Sequence, residues 1–388
     1  MKSNYKRLGD YIRPIDVRNK DLQVTRLLGV SIEKRFIESI ANTIGTDMST
    51  YKIVKKGQFA YGPVTSRNGE KVSIALLEED SCIISSSYSV FEIIDTELLL
   101  PEYLNLWFKR PEFDRYARFH SHGSAREIFD WDEMCNVTLP IPSIEEQQKI
   151  IDAYNAIEHR IAIKRQINDN LEAQAQALFN EQFGVVYVKD TLPDDWKYTT
   201  IGEICSVKGG KRLPSECELL DTPTAHPYIR VRDVGLNRYV CLNGQYQYID
   251  EDTYSQISRY IVNSDDIIIS IVGTIGLIGK IHSSLNGANL TENCVRLTNL
   301  QQISADYLYY TLMYKKHIRE IDLLTVGAVQ AKLPIYNIQS MKILLPPNEL
   351  LSAFQSTINA INASVESNTV EIEQLNNLRN LMLTNLSR

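Results

Sequence analysis

The sequence predicts an α+β protein. Two mixed α/β domains are expected, separated by a long antiparallel two-helix coiled coil and related by a pseudo-two-fold internal repeat. Three observations predict this. The chain repeats once at an offset of 204 residues, and a repeat decides architecture before any local assignment does. Each half ends in a long proline-free segment with a 3.5-residue apolar period. In front of each such segment lie short β-type runs punctuated by Gly, Asn and Ser. With 388 residues, 44% hydrophobic and 23% charged, the chain has the composition of a globular protein with room for two or more cores.

The repeat is legible as paired segments. Leu104-Asn-Leu-Trp-Phe after Pro101-Glu-Tyr matches Leu308-Tyr-Tyr-Thr-Leu after Ala305-Asp-Tyr. Gly123-Ser-Ala-Arg matches Gly327-Ala-Val-Gln, Ile141-Pro142 matches Leu345-Pro346, and Asn155-Ala-Ile matches Asn359-Ala-Ile. Near the start of each half the offset is 193, where Leu8-Gly9-Asp10 meets Ile201-Gly202-Glu203. The second half therefore carries about a dozen extra residues in its front part. A shared frame with differing contents suits two modules that recognise different things.

The elements follow in chain order. Residues 1–142 form the first module, with β-type runs at Ile74-Ala-Leu-Leu and Ser89-Val-Phe-Glu-Ile-Ile and a helix over Pro101–Lys109. Residues 143–184 form the first long helix. Pro142 precedes it, where proline is tolerated, and Ser143 with Glu146 makes a capping box. Its seam reads Ile150, Ile157, Lys164, Leu171, Leu178 at one heptad position and Tyr154, Ile161, Asn168, Ala175 at the other. Residues 185–347 form the second module, with runs at Asp266–Val272 and Val295-Arg-Leu and a helical stretch over Ala305–Lys316. Residues 348–388 form the second long helix, with Asn348 as its expected cap. Its seams are Phe354, Ile361, Asn368, Leu375, Met382 and Ile358, Val365, Ile372, Arg379. Lys164 and Asn368 fall at equivalent seam positions, where one polar group fixes register at a cost in stability. Two separate amphipathic helices, each on its own module, are the alternative to a mutual coiled coil. A helix of this length spans about 57 Å, more than either module needs for itself.

Catalytic and metal motifs are missing. Gly273-Thr-Ile-Gly-Leu-Ile-Gly-Lys resembles a phosphate loop but is one residue too long between its outer glycines, and Ile281 stands where magnesium needs Ser or Thr. It reads as the turn of a hairpin. Pro193-Asp-Asp-Trp-Lys has the residue types of a metal nuclease crowded into five positions, and reads as the start of the second module. No Asn-Pro-Pro-Tyr tetrapeptide, GxSxG elbow or HExxH spacing occurs. Six scattered cysteines without a CxxC pair read as reduced thiols of a cytoplasmic protein, and neither an apolar leader nor a membrane-length run is present.

Three features together resemble the specificity (S) subunit of type I restriction-modification systems. These are Leu139-Pro-Ile-Pro-Ser-Ile-Glu-Glu-Gln-Gln-Lys-Ile-Ile opening a long helix, Leu192-Pro-Asp-Asp-Trp-Lys followed by Ile201-Gly-Glu-Ile, and Gly273-Thr-Ile-Gly in the second half. Gly29-Val-Ser and Ser86-Ser-Tyr-Ser-Val-Phe resemble a common target-recognition type. The second helix opens Asn348-Glu-Leu-Leu where the family usually has a pair like Glu146-Gln147. The resemblance implies a non-catalytic chain. Each module would be a target-recognition domain reading half of a split sequence in double-stranded DNA, and the coiled coil would set the spacing. Two modification (methyltransferase) subunits would use S-adenosylmethionine, and restriction subunits would use ATP and magnesium. This chain itself would bind no cofactor. A coiled-coil adaptor binding proteins through its two modules is the alternative.

A net charge of −7 weighs against DNA binding, but the two long helices account for five of those charges and the modules are near neutral. Near neutrality permits a basic face and implies weak non-specific binding by the chain alone. Base readout calls for bidentate donors on loops. The first module offers Lys34, Arg35, Arg67, Asn68, Ser124 and Arg126. The second offers Lys208, Lys211, Arg212, Arg230, Arg232, Gln330 and Lys332, with Gly209 and Gly210 allowing backbone close to phosphate. Arg230 and Arg232 are expected on one strand face, with an ion pair to Asp233 as the competing role. The Ala- and Gln-rich outer face of the first helix, Glu172-Ala-Gln-Ala-Gln-Ala-Leu, suits protein contact and is the expected dock for modification subunits.

Overall fold

The computed structural model describes residues 5–39, 45–66, 68–69, 71–123, 127–189, 191–235, 238–242, 246–327 and 330–387. By contacts it divides into two units, Met1–Ile163 with Gln374–Arg388, and Lys164–Glu373. The division falls inside both long helices.

The first unit is built on a four-stranded antiparallel sheet in the order Ile12–Ile15, Ser89–Ile93, Phe59–Tyr61, Ile74–Leu76. Phe59 and Phe91 stack across neighbouring strands with ring centroids 5.0 Å apart, the cross-strand aromatic pairing that stabilises sheets. Helices Pro101–Phe108, Pro111–Phe119 and Trp131–Asn136 cover this core. Pro111 explains the break between the first two, since it forces Arg110 out of the helical region.

The second unit has a five-stranded sheet in the order Ser206–Gly209, Cys294–Thr298, Ile267–Ser270, Ile278–Ile281, Tyr239–Val240. A three-stranded sheet lies in the same unit. The Gly273-containing segment is the expected hairpin: Ile267–Ser270 pairs antiparallel with Ile278–Ile281, and Gly273 and Gly276 both sit at φ +83°. The helix expected over Ala305–Lys316 is instead two, Ala305–Met313 and Lys315–Leu324. No proline interrupts it. Tyr314 turns extended because its ring stacks on Tyr187 at 5.3 Å and its hydroxyl donates to the Gly184 carbonyl at 3.1 Å.

The repeat survives at the level of backbone contacts. Tyr5–Arg7 pairs with Thr138–Pro140, and Lys197–Thr200 pairs with Lys342–Leu345, both antiparallel. Tyr103 donates its hydroxyl to the Pro140 carbonyl at 3.1 Å, and Tyr307 to that of Leu344 at 3.0 Å. Gly9 and Gly202 mark the same close approach: a Cβ would sit 2.7 Å from Cys135 Cβ, closer than real Cβ atoms come, and a tight 3.2 Å from Gln339 Cβ, respectively.

The long helices are Ile144–Gln182 and Asn348–Asn385. Within the second unit Lys164 Nζ donates to Asn368 Oδ1 at 2.8 Å, Asn368 donates to Asn168 at 2.8 Å, and Phe179 meets Phe354 at 6.1 Å. Within the first, Arg379 pairs with Glu158 at 2.9 Å, while Ile151 and Tyr154 share a core with Leu383 and Leu386. In both units rising numbers on one helix meet falling numbers on the other, so the helices run antiparallel as a mutual pair. Seam residues Ile157, Ile161, Phe354, Ile358 and Val365 are buried, and Ile150, Leu171, Leu178, Ile361, Ile372 and Leu375 are half-buried. Toward the two ends of the first helix burial shifts to Ile151, in the core of the first unit, and to Phe179, in the core of the second. Lys164 touches its own repeat equivalent, Asn368, and also Glu371 at 2.9 Å. The capping box at Ser143 and Glu146 is present. Asn348 is not the cap: the Pro347 carbonyl accepts the Leu350 and Leu351 amides at 3.1 and 3.2 Å, placing Asn348 inside the first turn.

Candidate nucleic-acid interface

Each module carries one hairpin at the same place in its frame. In the first, His122 and Ile128 exchange backbone hydrogen bonds of 3.1 and 2.9 Å; in the second, Val326 and Lys332 exchange bonds of 2.9 and 2.8 Å. Each is anchored by a fully buried side chain just beyond it, Phe129 or Leu333. The anchor's amide donates to a neighbouring carbonyl, Pro63 at 2.8 Å or Ile271 at 3.0 Å. Gly123 and Gly327 take φ of +133° and +100°, the left-handed region open to glycine. A Cβ on Gly327 would also meet the Gln330 carbonyl oxygen at 2.6 Å. The base of each hairpin is thus held by backbone contacts, which place no demand on the side chains beyond it. Gln330 and Lys332 are exposed on the second hairpin. Ser124 and Arg126, and Arg67 elsewhere in the module, lie outside the described residues.

The remaining candidates divide by what already holds them. Arg35 is exposed in the turn leading into strand Phe36–Glu38, and Asn68 is half-buried with its amide toward the Val64 carbonyl. Lys208, Lys211 and Arg232 are exposed, with Lys211 Nζ 5.8 Å from the Tyr260 ring centre. Arg212 is exposed but paired with Glu292 at 2.7 Å. Burial would raise the Glu292 carboxyl, yet the Arg212 hydrogen bond holds it below its ordinary value.

Three expectations need correction. Lys34 is no surface cation. Its ammonium is buried, donates to the Val72 carbonyl at 2.6 Å and pairs with Asp114, and burial pulls its pKa down. Arg230 does not alternate with Arg232 on a strand, because the strand ends at Ile229 and 231–233 form a 3-10 turn. Its guanidinium grips Asp233 at 2.9 and 3.0 Å and also Gln247, so the competing ion-pair role is the one the fold uses. Gly210 is glycine because a Cβ would collide with the carbonyl oxygens of Leu290 and Thr291, a demand of its own module.

Sequence reasoning missed one repeated feature beside the hairpins. Phe119 and Leu323 are 81% and 85% exposed and lie at the repeat offset from one another. The offset alone would have paired them, but nothing in the pattern said that either was uncovered. Among the described residues no group of three or more His, Cys, Asp or Glu is placed to hold a metal, and no helix is long and apolar enough to cross a membrane.

Comparison with known proteins points one way. The family model described as the type I restriction modification DNA specificity domain matches residues 33–173 and 193–380. The MjaIX specificity subunit of a type I restriction enzyme from Methanocaldococcus jannaschii is 25% identical, over 76% of this chain and 70% of its own. The HindI specificity subunit from Haemophilus influenzae is 22% identical over 92% of each. The crystal structure of a type I restriction-modification S subunit from M. genitalium has the same fold. It superposes with a TM-score of 0.52 over 99% of this chain and 96% of that one, at 16% identity.

Proposed function

The chain belongs to the type I restriction modification DNA specificity domain family, and we propose that it is the sequence-reading chain of such a system. Each module takes one half of a split target, and the helix pair sets the number of base pairs between the halves. The observation that carries this is the duplicated hairpin: one buried anchor and one left-handed glycine at equivalent positions of each module, with a different sequence between its ends. Exposed Lys208, Lys211, Arg232 and Lys332 supply phosphate contacts that fix orientation, and side chains such as Gln330 reach base edges. Two half-sites read from one face of B-DNA lie about 34 Å apart, one helical turn.

The chain itself performs no bond-making step in this reading. Two modification subunits, docking on the exposed Ala173, Gln174 and Ala177 of the first long helix, since Glu172 and Ala175 of that stretch face inward, methylate DNA with S-adenosylmethionine. Restriction subunits add ATP- and magnesium-dependent cleavage. The complex works where the chromosome is, in the cytoplasm. A protein-binding adaptor, the other reading, would protect no DNA sequence even with its partners present. The deciding experiment is methylome sequencing of cells expressing this chain with a modification subunit. A two-part motif with a fixed gap is expected. Methylation that follows no such motif would remove the proposal.

A further inference from the structure

We propose that Arg238 is a positioning residue that fixes the angle of the second module on the helix pair, and through that angle the gap between half-sites. Its side chain is 1% exposed, yet it is tied to three helices at once, the two long ones and Ala305–Met313. It donates to Asn362 on the second long helix at 2.7 Å and to Tyr310 at 2.8 Å, and it reaches Glu172 on the first long helix at 3.4 Å. It also pairs with Asp306. That carboxylate accepts from Lys280 at 2.9 Å, Gln355 at 2.8 Å and Asn362 at 2.9 Å. The guanidinium lies 4.9–5.4 Å from the ring centres of Tyr239, Tyr309 and Tyr310.

A buried ion cluster of this kind contributes little net stability, because desolvation consumes most of the attraction. What it supplies is direction. An apolar contact tolerates a small rotation, whereas a guanidinium held by an amide, a phenol and two carboxylates fits one arrangement of their carriers. The repeat makes the point sharper. The positions equivalent to Asp306 and Gln355 are Glu102, which is exposed, and Ile151, which is buried among apolar neighbours. Only the second module has this lock among the described residues.

The inference rests on the proposed reading of two half-sites at a set gap. Two variants test it in cells that express the full chain with a modification subunit. Arg238→Met with Glu172→Gln removes one cation and one anion and leaves Asp306 paired to Lys280. Gln355→Ala with Asn362→Ala removes no charge and cuts only the second helix's side of the cluster. Both should keep the bases of each half-site while methylating sites with one base pair more or fewer in the gap, at ten times the wild-type background or above. Arg238→Lys, which keeps the charge but not the fork, should fall between. If the first variant fails to assemble, the second decides. Intact variant complexes with a gap as strict as the wild type's, or a uniform loss of methylation without gap change, would overturn the lock. A wild-type chain yielding no two-part motif would instead overturn the functional reading beneath it, and the lock with it.

Discussion

The two modules share a frame but meet their helices by different chemistry. The first is joined through apolar side chains and one uncharged amide, Gln147, with Tyr103, Trp107 and Leu106 in one core with Ile151, Tyr154, Leu383 and Leu386, and with the Lys109 ammonium 5.0 Å from the Tyr154 ring centre. The second joins through an aromatic cluster of Phe179, Phe183, Phe354, Tyr307 and Tyr310, beside the ion cluster of Arg238 and Asp306. Contacts governed by hard-sphere geometry, such as the glycines at 9 and 202 and the tyrosine bonds at 103 and 307, are held in common. Contacts governed by side-chain chemistry have diverged. Duplication has kept what the backbone cannot do without and released the rest.

The largest expected effect probes the aromatic joint. Phe354→Ala empties a fully buried site and should cost about 3–5 kcal/mol. Amide hydrogen exchange, which separates units that a single melting curve would merge, should speed up in strand Ile267–Ser270 and leave Phe59–Tyr61 unchanged. Equal acceleration in both strands would mean that the modules do not differ in the way described.

A smaller effect contrasts the entries to two equivalent helices. Gln147 is fully buried; its side-chain oxygen accepts the Leu100 amide at 2.8 Å, and its nitrogen donates to the Leu98 and Pro142 carbonyls, both at 2.9 Å. The second module has Leu351 at that position and lets Ser304 cap the helix instead, accepting the Tyr307 amide at 3.1 Å. Gln147→Leu should cost about 1–3 kcal/mol because a buried amide is left unpaired. Ser304→Ala should cost about 1 kcal/mol, an ordinary cap loss. Urea unfolding followed module by module checks the order, and a reversed order would sink the explanation.

The smallest effect is in acid. Burial alone would raise the Asp306 carboxyl, but Arg238 and Lys280 hold it below its ordinary value. Its stabilising contribution is therefore complete above the ordinary aspartate pKa and lost as pH falls through the depressed native value. Glu172 is shifted upward by burial and works the other way, which blunts the change. Exchange at Ile278–Ile281 should rise in acid before that at Ile74–Leu76. Asp306→Asn should flatten the difference, and an unaltered acid profile in that variant would assign the effect elsewhere.

Periodicity and repetition made much of this legible in the sequence. The seam residues Ile157 and Val365, the equivalent seam positions of Lys164 and Asn368, the capping box at Ser143 and the hairpin at Gly273 all follow from spacing along the chain, whereas the hairpins at Gly123 and Gly327 show only as a repeat match. What spacing does not carry is which charges are used internally. Lys34 looked like a surface donor because its partner, Asp114, is 80 residues away, whereas Arg230 left its use open, since Asp233 three residues on offered an ion pair as readily as DNA would. Arg238 gave no signal, since its partners come from three separate helices. The break at Tyr314 depends on a ring stacked against Tyr187, a tertiary contact that overrides local helix preference.

Gln147 has a consequence for building chimeras. It belongs to the long helix by chain order and to the first module by hydrogen bonding, so the natural seam for exchange lies one turn inside the helix. A transplant cut at Pro142 leaves the donor's polar clamp behind, whereas one cut beyond residue 147 carries the reader together with the amide that closes it.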